Sequence, residues 1–213
     1  MIIFDLDHTL FNTTLLKQDM LHVFEKYEIR GQDFWKSLYK SYDLNPDEIG
    51  VYSIERHLTL LKDLTSKQKQ QLKRELELTM SDRGQAYLFP DVLPTLIALR
   101  DKGITTMLLA KGNKGFKQLK IDITDLSRYF TKIFFCSREV LPQLKKIMPK
   151  SDNSEDVVVI SGNLSMLVAI KEKFSAAVCI FIRREDEAVP KDISIISVNN
   201  LTDIHWLLKN IGK

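Results

Sequence analysis

Near the start of the chain, Asp5-Leu6-Asp7-His8-Thr9-Leu10 follows the apolar run Ile2-Ile3-Phe4. In extended backbone, side chains two residues apart project the same way, so Asp5 and Asp7 can face one crevice as the chain leaves a sheet. Two like charges brought to about 4 Å repel by about 4 kcal/mol at an effective dielectric of about 20, so the pair requires a cation. Aspartate oxygens are hard ligands suited to Mg2+. A carboxylate can also attack phosphorus to form an aspartyl-phosphate while its neighbour protonates the leaving oxygen. A strand that merely ends in solvated acids would carry the same two residues, so the surrounding elements decide between the readings.

Ile2 to Phe4 has the look of a short, fully buried strand. From Thr13 to Gln85, apolar residues recur three and four apart in four successive stretches, which predicts four helices. Pro46-Asp47-Glu48 reads as one helix start, and Thr65 or Ser66 as the cap of the last. After Phe89-Pro90 helix and strand alternate. Helices are expected over 90–102 (stopped by Gly103), 138–149, 164–174 and 202–210, and strands over 104–109, 132–135, 157–160, 178–182 and 193–198. Such alternation predicts an α/β chain, a three-layer Rossmann-like parallel sheet joined by right-handed crossovers. Ligands bind beyond the carboxyl ends of central strands in these sheets, so chemistry is expected after Phe4, Leu109 and Ile160.

FDLDHTL at the head of an alternating α/β chain resembles the first motif, DxDx[TV], of the haloacid dehalogenase-like (HAD) superfamily. The resemblance extends over the whole chain. It implies a core of residues 1–12 and 86–213 and a helical (C1-type) cap of residues 13–85 in the place where this superfamily inserts one. It also implies that Asp5 is nucleophile and metal ligand. Asp7 would be general acid and base with its backbone carbonyl on the metal, and Thr9 would support the loop and the phosphate site. Family dehalogenases, which use no magnesium, generally lack the second aspartate, so Asp7 favours a Mg2+-dependent phosphatase acting on a small phosphomonoester.

The other three motifs diverge. Where the second motif ends its strand in Ser or Thr, MLLAKGN presents Ala110, leaving backbone amides near Gly112 or the Lys111 amine to hold phosphate. The absent hydroxyl removes a charged hydrogen bond of roughly 1.5–3 kcal/mol. Where the third motif has Lys-Pro, the chain has Leu141-Pro142, and Lys145 or Lys146 one turn later is the substitute. In VVVISGNLSMLVAIKEKF, Asn163 and Leu167 occupy the acidic positions of the fourth motif. An asparagine brings a carbonyl oxygen to a metal but no charge, so Mg2+ is expected to bind weakly. Attenuated hydrolysis is therefore one reading. A catalytically degenerate member that binds a phosphorylated ligand or a protein partner without turnover is the other, and carbon–halogen hydrolysis is a third that Asp7 opposes.

The composition excludes other classes. In 213 residues, 31 Lys and Arg against 28 Asp and Glu leave a net charge of +3, too small to imply a nucleic-acid or membrane-surface partner through its field. The basic positions Lys67, Lys69, Lys73 and Arg74 lack interleaved aromatics and read as a solvated helix face. The longest apolar stretch, Ala176 to Ile182, is far short of a membrane helix, and no basic residue precedes Asp5 as in a secretory leader. Cys136 and Cys179 sit in apolar runs as buried thiols, which suits a reducing, cytoplasmic location. Trp35, Tyr39 and Tyr42 read as helix core. His22, His57 and His205 have no ligand spacing, and His8 is given no catalytic role.

Overall fold

A computed structural model describes residues 1–43, 51–137, 140–147, 157–184 and 194–204. In chain order these form β1 (Ile2–Asp5), α1 (Thr13–Glu25), α2 (Gly31–Asp43), α3 (Ile54–Leu60), α4 (Ser66–Arg83), α5 (Val92–Asp101), β2 (Thr106–Lys111) and α6 (Lys114–Ile123). Then follow β3 (Lys132–Cys136), α7 (Val140–Ile147), β4 (Val158–Ser161), α8 (Leu164–Lys173), β5 (Val178–Ile182) and β6 (Ile196–Val198). Internal contacts divide the chain into two units, Met1–Asn12 with Leu88–Lys111 and Leu126–Lys213, and Thr13–Tyr87 with Gly112–Asp125. The second unit thus takes in α6 as well as the expected helical segment 13–85.

The first unit is built on six parallel strands in the order β3-β2-β1-β4-β5-β6. β1 and β4 are buried at every residue, the signature of a sheet covered on both faces. Alternation along the strands turns Ile3, Leu109, Val159 and Phe181 toward Leu144 of α7 and Leu167 and Ile170 of α8. Phe4 points the other way, and its ring meets Phe130 edge-on at 6.1 Å. Gly103, at φ +67, ends α5 as expected, with its amide on the Arg100 carbonyl. Burial pushes the Cys179 thiol up to about 11, so it packs as an inert apolar group.

In the second unit, Thr65 caps α4 through a reciprocal box in which its hydroxyl accepts from the Gln68 amide and Gln68 Oε1 accepts from the Thr65 amide. Ser53 caps α3. The Pro46-Asp47-Glu48 start signal, His205 and the end of the helix expected over 202–210 lie outside the described residues. His57 is fully buried, stacked on Phe24 at 4.7 Å. Ser37 Oγ donates to the Phe34 carbonyl, so its 2.9 Å contact with His57 Nε2 assigns the ring proton to Nε2. Nδ1 then accepts from Tyr52 OH at 3.1 Å. Burial lowers the His57 pKa to about 4, and the ring serves as a neutral polar tie in the helical core. Of the aromatics expected in the core, Trp35 and Tyr42 are only partly buried and Tyr39 is 59% exposed and stacks on Trp35, while the neighbouring Phe34 is buried.

Candidate active site

Asp5 ends β1 in the middle of the sheet. Parallel register sets Phe4 beside Ile160, so Asp5 and Ser161 finish neighbouring strands side by side. Ser161 Oγ donates to Asp5 Oδ2 at 2.8 Å and the Leu6 amide donates to Oδ1 at 2.8 Å, which fixes both oxygens of a buried carboxylate. The chain then turns sharply, with the Leu10 and Phe11 amides both on the Leu6 carbonyl at 3.0 and 2.9 Å. His8 sits at φ +54, a conformation few side chains adopt without strain.

The turn between β4 and α8 grips this loop. The Gly162 amide donates to Thr9 Oγ1 at 2.8 Å, and that hydroxyl donates to the Asp7 carbonyl at 3.3 Å. A Cβ on Gly162 would stand 2.2 Å from the His8 carbonyl oxygen, so only glycine fits. Beyond the carboxyl ends of the strands, Asp5, Asp7, His8, Lys111, Asn163 and Arg184 line one cavity of about 840 Å3, with Leu164 and Met166 adding apolar wall.

The cavity therefore brings together Asp5, Asp7, Lys111 and Asn163 from the sequence reading. Thr9 is fully buried and absent from the lining, so its hydroxyl holds the loop rather than a ligand. Ala110 is fully buried at the end of β2 and offers no hydroxyl. Lys145 and Lys146 are exposed on α7 and do not line the cavity. Leu167, in the second acidic position of the fourth motif, is core.

Asn163 departs most from expectation. It is the N-cap of α8, and its Oδ1 accepts from the Met166 amide at 2.9 Å and from Ser165 Oγ at 2.8 Å. Both lone pairs are committed, which is at odds with a metal-ligand role, and the remaining fork of the amide is a donor suited to anions. Among the described residues, Asp5 and Asp7 alone supply carboxylates to the cavity, and no group of three or more His, Cys, Asp or Glu is placed to hold a metal. Mg2+ is nonetheless commonly held by one or two carboxylates, with substrate oxygens and water completing its octahedron. The Asp5 carboxylate with the Asp7 backbone carbonyl fits that mode; Asn163 does not.

Sequence reasoning passed over Ser161, Arg184 and Asp91. Ser161 was accessible in principle, because a parallel register that sets Phe4 beside Ile160 puts a hydroxyl beside the carboxylate. Arg184 and Asp91 lie 93 residues apart and carry no local signal. In the second unit, Lys117 and Lys120 are also buried on α6. Lys117 packs against Gly112, and Lys120 Nζ lies 4.9 Å from the Phe116 ring centre and 3.5 Å from Thr13 Oγ1. Their three-residue spacing puts both on one helix face, but lysines in a polar stretch read as solvated.

Comparison with known proteins supplies a frame for this geometry. The family model described as haloacid dehalogenase-like hydrolase matches residues 2–160. No curated protein sequence matches. Among solved structures, a haloacid dehalogenase-like hydrolase from Burkholderia xenovorans superposes with a TM-score of 0.71 at 16% identity, over 99% of this chain and 96% of that one. The magnesium-bound HAD-hydrolase YfnB of Bacillus subtilis gives 0.65 at 15% identity over 97% of each chain. A HAD phosphatase from Thermococcus onnurineus gives 0.63 at 18% identity, over 97% and 96%. At these identities the likeness establishes a shared fold.

Proposed function

Because this chain belongs to the haloacid dehalogenase-like hydrolases, we propose that its cavity hydrolyses a small phosphomonoester through Asp5, slowly and in dependence on weakly bound magnesium. The carrying observation is that Asp5, oriented through both oxygens, shares one cavity with Asp7 and the Lys111 amine. In this reading residues 1–12 and 86–213 are the catalytic core and 13–85 the cap.

An Asp5 oxygen forms a bond to phosphorus as the ester P–O bond breaks, and the leaving oxygen takes its proton from Asp7. Water then attacks the aspartyl-phosphate, Asp7 takes back a proton, and Asp5 is released with inorganic phosphate. Lys111 and the amide donor of Asn163 face the phosphoryl oxygens. Magnesium would be held by the Asp5 carboxylate and the Asp7 backbone carbonyl, and would supply charge neutralisation at the phosphoryl group. Ala110 brings no hydroxyl and Asn163 no carboxylate, and since positioning and electrostatics supply most phosphoryl-transfer catalysis, the rate falls by orders of magnitude.

Release of phosphate from an aryl phosphate, with and without Mg2+, tests the reading against Asp5→Asn. The variant is expected to lose all release; release that survives the substitution belongs to another site and ends the proposal. The capping use of Asn163 Oδ1 favours a second reading, a non-hydrolysing binder of phosphorylated ligands. Its outcome in the same experiment is saturable phosphate binding with no turnover by the unmodified protein.

A further inference from the structure

Asp91 stands at the N-cap of α5, where an aspartate ordinarily accepts from the helix's own amides, yet it makes no such bond. Its carboxylate instead takes a two-pronged contact from Arg184, with Nη1 on Oδ2 at 2.8 Å and Nη2 on Oδ1 at 2.9 Å. Oδ2 also accepts from the Leu201 amide at 2.6 Å. The guanidinium lies 4.0 Å above the Phe89 ring and donates twice to one further acceptor, the Thr9 carbonyl, from Nη2 at 2.8 Å and Nε at 3.2 Å. Both side chains are largely out of water, 8% and 11% exposed.

A buried ion pair that forgoes a helix cap is a poor device for stability. Its geometry suits a different task. Thr9 is two residues from Asp7, and its hydroxyl already holds the Asp7 carbonyl. Gly162 fixes Thr9 from one side and Arg184 from the other, while the Phe89 amide holds the neighbouring Leu10 carbonyl at 3.1 Å. We propose that Arg184, locked by Asp91, is a positioning residue that sets the Asp7 carboxyl for proton transfer to the leaving oxygen. This rests on the hydrolase reading above. Arg184 acts through the backbone of the Asp7 loop, with Nε, Nη1 and Nη2 all turned to Asp91 and the Thr9 carbonyl.

A proton donor matters most when the leaving group is a poor one, which separates positioning from general damage to the fold. Arg184→Met and Asp91→Asn are therefore compared on dinitrophenyl phosphate, whose leaving group needs no proton, and on phenyl phosphate, whose leaving group does. Turnover of phenyl phosphate is expected to fall on the order of 100-fold, and of dinitrophenyl phosphate by less than about fivefold. Arg184→Lys keeps the charge but not the fork, and restores only part of the loss. Equal losses on both esters overturn the proposal, since the pair would then act on the fold alone. Should Asp5→Asn leave phosphate release intact, the hydrolase reading itself fails. The clamp is then judged from hydrogen exchange at the Leu10 and Phe11 amides, where about tenfold faster exchange in Arg184→Met supports loop positioning and unchanged exchange overturns it.

Discussion

The fit of Gly162 against His8 makes a sharp prediction. A methyl at position 162 would lie 2.2 Å from the His8 carbonyl oxygen and 2.9 Å from its carbon, where ordinary contact begins near 3.4 Å. One backbone must retreat by about 1 Å. His8 is poorly able to give way, since its amide is bonded to the Phe11 carbonyl at 3.0 Å and Thr9 next to it is held by Gly162 and Arg184. The displacement therefore passes to Thr9 and Asp7. Overpacking of this kind costs about 1–3 kcal/mol, which at a urea slope of about 2 kcal/mol/M lowers the unfolding midpoint by about 1 M. Misplacing a reacting group by about 1 Å costs on the order of 100-fold in rate. Gly162→Ala is thus expected to fail twice, in urea unfolding and in aryl phosphate hydrolysis. Gly115→Ala is the control, because its Cβ would meet only Asn113 Oδ1, at 3.4 Å, and a helical glycine replaced by alanine gains up to about 1 kcal/mol. Wild-type midpoint and turnover in Gly162→Ala would refute the close approach and the loop geometry built on it.

Two further outcomes follow from the same structure. His57 has its pKa lowered to about 4 by burial, against an ordinary 6.5, so between those values the unfolded chain binds the extra proton. The stability that this neutral ring confers is complete above about pH 6.5 and declines as pH falls toward 4, by up to about 3 kcal/mol; urea midpoints of the wild type relative to His57→Gln should converge over that range, and a pH-independent difference would show that the ring is not held neutral. Asn163→Asp keeps the α8 cap, since aspartate caps as well as asparagine, and adds a carboxylate oxygen at the cavity; calorimetric titration should show Mg2+ binding about tenfold tighter and metal-free phosphate binding weaker, whereas unchanged binding of both would remove position 163 from the site.

The sheet was legible because its residues obey local rules. Val178–Ile182 is a continuous apolar run whose observed bounds match the expected strand, and Gly103 stops α5 where a left-handed residue is needed. The carboxylates of the first motif were expected together from a strand's period of two; β1 in fact ends at Asp5, and the turn that follows brings Asp7 to the same cavity. What the sequence hid is set by the direction in which a side chain points or by partners far along the chain. Asn163 looked like a weak metal ligand because only its type was visible; that its oxygen faces α8 depends on where the Met166 amide points. Asp91 looked like part of a helix start, and its diversion to Arg184 depends on β5 delivering an arginine from 93 residues away. Thr9 was expected near phosphate, but a hydroxyl in a loop can face inward or outward, and the Gly162 amide decides.

Charge explains why the departures in the fourth motif need not abolish function. The cavity carries Asp5 and Asp7 against Lys111, while Arg184 is offset by Asp91. An additional acid at position 163 would strengthen the pull on a divalent cation, but it would also repel an incoming phosphate dianion, by about 4 kcal/mol for each pair of unit charges about 4 Å apart at an effective dielectric of about 20. With asparagine there, oxygen turned to the helix and amide donor left over, the balance moves from cation toward anion. In the proposed hydrolase, a metal held by so few protein oxygens would bind more tightly with substrate present than without it, because phosphate oxygens would complete its coordination shell. The two divergent features, a missing carboxylate and a missing hydroxyl, then act in opposite directions on substrate binding: the first relieves repulsion and the second removes a hydrogen bond of roughly 1.5–3 kcal/mol. Under the proposed reading, phosphate-ester binding is therefore expected to be less affected than turnover, because electrostatic stabilisation counts most in the transition state.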